Sequence, residues 1–151
     1  MFRKIALCLS LLAAACGPAS RLAAPDGFAH LGGSDYDDRI GTASGVVVAT
    51  RVVPNDPKAN LDFWTKAIDL RLRRRGYEPT GAPADIKNDA GLPGRELRYT
   101  YFDGTRKNRY YLDVYATSRR ILLVEAAGEV ADVDASTAQV IATMRSAHFR
   151  S

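Results

Sequence analysis

His30 and His148 are the only imidazoles among the 151 residues, so nucleophilic or acid–base chemistry near neutral pH has few places to start. His148 lies four residues after Met144, on the same stripe of a closing helix, where a cation complements the helix dipole and needs no other role. His30 falls in a loop-like stretch, with Ser34 as a conceivable partner, but no G-x-S-x-G elbow is present. Asp35, Asp37 and Asp38 place three carboxylates within four residues, oxygen chemistry that suits calcium. An EF-hand loop also needs a glycine at its sixth position and a distal glutamate, whereas Gly41 is the seventh residue from Asp35. The run reads as a solvated acidic turn. Zinc would need cysteine and histidine clusters that the chain lacks, so no metal and no cofactor is expected.

Cations and tyrosines are more plentiful. Arg71, Arg73, Arg74 and Arg75 spread around most of a helix at 100° per residue and do not form one patch. Arg106, Lys107 and Arg109 mark one end of a hairpin, and Arg119-Arg120 the opposite end. Solubility and edge protection explain them, with anionic lipid as the second use. Five tyrosines (Tyr99, Tyr101, Tyr110, Tyr111, Tyr115) crowd one meander. By alternation Tyr111 and Tyr115 share a face with Asp113, Arg98 and Glu96. Rings beside charges can line a small-ligand or peptide pocket, and cross-strand packing under a helix is the plainer use.

The elements that position these groups follow from pattern. Phe28–Leu31 suits a brief strand, and Gly45–Val53 a β-branched strand that stops at Pro54-Asn55-Asp56-Pro57. Asn60 caps a helix that ends at Gly76; Leu61, Trp64, Ile68 and Leu72 fall on its buried stripe. Asp62/Lys66 and Asp69/Arg73 are acid-before-base pairs at i,i+4. Phe63 and Leu70 land on the opposite side, uncovered by the simplest packing. A short strand at Ala84–Asn88 precedes an antiparallel meander of Arg95–Phe102, Arg109–Thr117 and Ile121–Gly128. Setting Phe102 opposite Arg109 pairs Tyr99 with Leu112, Leu97 with Val114 and Arg98 with Asp113. The last strand is apolar on both faces, which requires cover above and below. A closing helix from a cap near Asp134 supplies it, with Thr137, Val140, Ile141, Met144 and Ala147 on one stripe.

The N-terminus has its own logic. A basic start (Arg3, Lys4), an apolar run from Ile5 to Ala14 and Ala13-Ala14-Ala15-Cys16 have the anatomy of an export signal. The run is about half the roughly 20 residues needed to span a bilayer. Leu12 to Cys16 resembles the lipobox of bacterial lipoproteins, with Ala13 where that pattern carries leucine. The resemblance implies a signal peptide over residues 1–15, a lipidated Cys16, and attachment to the membrane through acyl chains. Gly17, rather than aspartate, after the cysteine favours the outer membrane, facing the periplasm. Residues 16–27 then form a short tether and 28–151 a single domain. Arg3 and Lys4 leave with the signal, so 21 basic residues become 19 against 17 acids, and the net charge falls from +4 to +2. That balance and the export route argue against nucleic acid. Cys8 leaves as well, so the domain contains no disulfide or redox pair.

The fold class expected is α+β: an antiparallel sheet with one helix after the first main strand and a C-terminal helix. This order, with the closing Ile141…Met144…Phe149 spacing, resembles the Mog1/PsbP-like group over about residues 45–149. The resemblance implies a binding or assembly module and transfers no functional residue. The function expected is therefore a non-enzymatic, membrane-anchored envelope lipoprotein that binds a protein partner. Its contact residues would be Phe63 and Leu70, then Tyr111 and Tyr115. The alternative is a small-ligand or lipid carrier with a pocket between sheet and helix.

Overall fold

The computed structural model describes residues 17–32 and 35–150, so Cys16, the signal segment and Ser34 lie outside the described residues. Two strands, β1 (Ser20–Arg21) and β2 (Phe28–His30), lead into β3 (Asp38–Thr42) and β4 (Val47–Pro54). Helix α1 (Leu61–Arg74) follows, then β5 (Glu78–Pro79) and β6 (Ala84–Lys87). The meander is β7 (Pro93–Asp103), β8 (Arg106–Ala116) and β9 (Arg120–Glu129). Helices α2 (Val130–Ala135) and α3 (Thr137–Arg145) and strand β10 (His148–Phe149) close the chain. The main sheet is antiparallel, in the order β2-β3-β4-β9-β8-β7-β5, with β6 also on β7; β1 pairs with β10 separately.

The sheet is covered on both faces, as a doubly apolar β9 demands. On one face Leu97, Leu112, Val114 and Ile121 pack under Leu61, Trp64, Ile68 and Leu72 of α1. On the other, Val48, Leu122, Val124 and Ala126 pack under Val133 of α2 and Val140 and Met144 of α3. Asn60 caps α1 by accepting from the Phe63 N–H at 2.9 Å, and Gly76 ends it at a φ of 87°. Both helix pairs form, Lys66 to Asp62 and Arg73 to Asp69, each at 2.8 Å.

Several expectations need correction. The β7–β8 register differs by two residues: Tyr99 faces Tyr110, Leu97 faces Leu112 and Phe102 faces Lys107. The cause is the turn. Asp103 pairs directly with Arg106 around Gly104, whose φ of 60° at the first central position fits a tight II′ connection. An even slip leaves every side chain on its expected face. The closing helix is two helices, because the Ser136 and Thr137 hydroxyls donate to the carbonyls of Asp132 and Val133 and interrupt the spiral. Asp134 is no cap: its carboxylate grips Arg109 bidentately at 2.9 and 2.8 Å. His148 sits on β10 opposite Arg21, outside any helix.

A further correction concerns the tether. Residues 17–27 are built into the domain: Ser20 and Leu22 are buried, and β1 is hydrogen-bonded to β10. The acidic run does the tying. Asp37 accepts from the N–H groups of Ala19 and Val52, and Asp38 from that of Leu22 at 2.9 Å. These carboxylates are backbone acceptors, not a solvated turn. Both cores lie entirely within residues 22–149.

Candidate functional site

Helix α1 covers only part of its sheet face. Beyond its C-terminal turn no helix covers the sheet, and a trough of about 490 Å³ opens there. Its floor is small and apolar: Val47 and Ala49 of β4 and Ala127 of β9, with Val47 directly opposite Ala127. One wall is aromatic. Tyr101 and Tyr110 line it, backed by Tyr77 just past α1, which stacks on Tyr101 at 4.8 Å and meets Tyr110 edge-on at 5.1 Å. Tyr36 forms the other wall, under the Arg51 guanidinium at 4.7 Å. Arg39, Arg106, Asn108 and Glu129 make a polar rim.

Glu125 joins the two walls. It accepts from the Tyr36 hydroxyl at 3.1 Å and also bonds Tyr110. Burial, and then the Glu125 charge, push both phenols above the ordinary tyrosine value, so they are donors at any physiological pH. The trough thus combines apolar floor, flat aromatic surface and fixed donors and acceptors, the makings of a binding surface. Sequence reading missed it. Tyr36 comes from the acidic loop and Tyr77 from beyond α1, and only the fold brings them to Tyr101 and Tyr110.

On the other face a polar network lies under α3. Arg145 donates to Glu96 at 2.7 Å and pairs with Asp113; Arg98 bonds Glu96 at 2.7 Å and covers the Tyr111 ring at 4.8 Å. The Tyr115 hydroxyl donates to Asp113 at 3.3 Å. Asp113 is fully buried and its Oδ1 has no hydrogen-bond partner. Burial raises its pKa to about 6, against the lowering effect of Arg145. This latch ties α3 to the sheet.

The residues singled out from sequence divide. Phe63 and Leu70 are on the surface of α1, 49% and 51% exposed. Tyr111 and Tyr115 are core, 5% and 0% exposed, so they cannot be first contacts for a partner. They share the expected face with Asp113, but α2 and α3 seal it. Gly94 admits the Tyr115 ring: a Cβ there would overlap it. His30 bonds Asp38 at 3.2 Å, and His148 bonds the Ser146 carbonyl at 3.0 Å; both histidines are exposed. Among the described residues no three histidine, cysteine or acidic side chains gather as a metal-sized group. No helix among them is long and apolar enough to cross a membrane.

The fold is α+β, an antiparallel sheet with three helices packed on it, and its structural neighbours include a PsbP. LpqN of Mycobacterium tuberculosis, involved in cell envelope biogenesis, matches with a TM-score of 0.68 at 11% identity, over 83% of this chain and 79% of its own. A Pseudomonas aeruginosa protein of unknown function matches with a TM-score of 0.58 at 12% identity, over 82% of each chain. The cyanobacterial PsbP of Synechocystis matches with a TM-score of 0.55 at 10% identity, over 94% of this chain and 99% of its own. No protein-family model and no curated protein matches the sequence.

Proposed function

We propose that this chain is a membrane-anchored domain of the bacterial envelope that binds a protein partner and catalyses no reaction itself. The anchor is acylated Cys16, and the address is the periplasmic side of the outer membrane. The observation that carries the reading is the trough: a stretch of sheet face that no helix covers, with small floor residues and tyrosine walls. Tyrosine gives large contact area at low entropic cost, and the polar rim supplies orientation. Phe63 and Leu70, on one side of α1 and about 10 Å apart at 1.5 Å per residue, are a second contact surface. LpqN's involvement in envelope biogenesis agrees with the compartment. The non-enzymatic reading is supported by the histidines, which stand on separate strands, each bonded to a local group. The carrier reading has less support, because the layers between sheet and helices are filled by the two cores.

The test is photo-crosslinking in the intact membrane-bound chain, with the reactive side chain at exposed Ser44 on the trough. One envelope protein should be captured, and Ala127→Arg should abolish the capture without changing the melting temperature. Capture that survives Ala127→Arg refutes the trough as the contact.

A further inference from the structure

The end of the molecule where the chain enters carries a set of uncompensated arginines. Arg150 donates its N–H to the Ala19 carbonyl at 2.9 Å, and its guanidinium lies beside Gly17. Arg120 covers the ring of Phe149, at 4.6 Å, and Phe149 is paired with Ser20. Arg119 precedes it in the β8–β9 turn, and Arg21 faces His148 across the β1–β10 pair. All four are exposed, and no ion pair among the described residues includes any of them. The opposite end of the sheet differs: Arg106 is paired with Asp103 and Glu129, and Arg109 with Asp134. Three acids near the arginine end are engaged or offset, while exposed Asp89, whose N–H donates to the Arg145 carbonyl near β10, leaves one negative charge against the four arginines. Asp37 and Asp38 give their oxygens to backbone N–H groups of β1 and β4, and exposed Asp56 is offset by exposed Lys58 in the adjoining turn.

We infer that Arg21, Arg119, Arg120 and Arg150 form a membrane-facing surface that binds anionic lipid headgroups and fixes how the domain stands on its bilayer. This rests on the anchoring proposed above, and geometry carries it further. Ala19 is three residues past Cys16, so the folded domain begins within about 11 Å of the anchor. That is comparable with the Debye length of about 8 Å, so an arginine cluster at this end can reach the surface field of an anionic leaflet. With β1 clamped by Asp37 and β10, the domain cannot swing these arginines far away. The trough, on the α1 face, stays free for a partner.

The test is guanidinium footprinting of the full chain with phenylglyoxal, read by peptide mass spectrometry. The chain is reconstituted on vesicles of phosphatidylcholine alone or phosphatidylcholine with phosphatidylglycerol. Modification of the four arginines should slow about fivefold each on the anionic vesicles. Arg71 and Arg74, exposed on α1, should react equally on both. Raised salt should abolish the protection, and Arg119→Glu/Arg120→Glu should remove it from Arg21 and Arg150. Equal rates on both vesicle types, or protection extending to Arg71 and Arg74, would overturn the inference. Failure to float with pure phosphatidylcholine would instead count against the lipid anchor, while the anionic vesicles still read the patch.

Discussion

Asp113 makes the stability of this domain depend on pH in the direction opposite to an ordinary salt-bridged acid. Its folded pKa is raised to about 6 from 3.8, because burial, helped by the charge of Glu96, outweighs the pull of Arg145. Between those values the native state binds more protons at this site than the unfolded chain, so stability must fall as pH rises. The contribution is complete below pH 4 and lost once pH passes 6. At about 1.36 kcal/mol per pH unit, the gap corresponds to about 3 kcal/mol. Exposed acids held low by cations, Asp62 beside Lys66 and Asp134 beside Arg109, slope the other way. The measurement therefore needs a difference. Urea unfolding of the parent and of Asp113→Asn, at intervals from pH 3.5 to about 7.5, isolates the site. The parent's advantage over Asp113→Asn should shrink by about 3 kcal/mol across the window. A difference that is flat, or that grows with pH, would show that Arg145 dominates and that the carboxylate is an ordinary buried pair.

Three further outcomes follow from the geometry. Gly94→Ala forces a Cβ into the Tyr115 ring and should destabilise by about 1–3 kcal/mol in urea, with partial rescue by Tyr115→Leu; an unchanged midpoint would mean the ring is free to move. Asn55 accepts from the Trp64 indole at 2.7 Å and donates to the carbonyls of Ala59 and Thr117, so Asn55→Ala should cost about 3 kcal/mol and shift the emission of the single tryptophan. Phe63→Asp/Leu70→Asp should change stability by no more than about 0.5 kcal/mol per site yet remove a partner from pull-downs; unfolding instead would place both side chains in the core.

Local signals were readable and long-range ones were not. Helix α1 declares itself through Asn60, its apolar stripe and Gly76, because each is set by neighbours within a few residues. The meander strands and their faces were readable from alternation, while the register hung on whether the turn closes tightly at Gly104. Tyr111 and Tyr115 show the limit most clearly. Their face carries Glu96, Asp113 and Arg98, which in a strand pattern imply solvent. Arg145, some 30 residues further along the chain, neutralises that face, and no periodicity reports it. Residues 17–22 fail for the same reason: small-residue composition suggests a linker, but Asp37, Asp38 and β10 supply the missing partners.

The uncovered stretch of sheet is a consequence of dimensions. Strands β7 and β8 have 11 residues each and run about 36 Å at 3.3 Å per residue, whereas the 14 residues of α1 extend about 21 Å. The other face has two helices and a network of ion pairs to hold the second one down. With one helix, the α1 face must end in something water tolerates. Ala49, Ala127 and Val47 expose little apolar area each, and Tyr36, Tyr101 and Tyr110 keep a hydroxyl for hydrogen bonding. A long aliphatic side chain in place of Ala127 would fill the trough from below and add exposed apolar surface without a helix to cover it. Small floor residues thus serve the free domain and a bound partner alike, so Ala127→Leu should leave folding nearly unchanged while weakening capture at Ser44. Loss of folding in that variant would mean the floor is already covered.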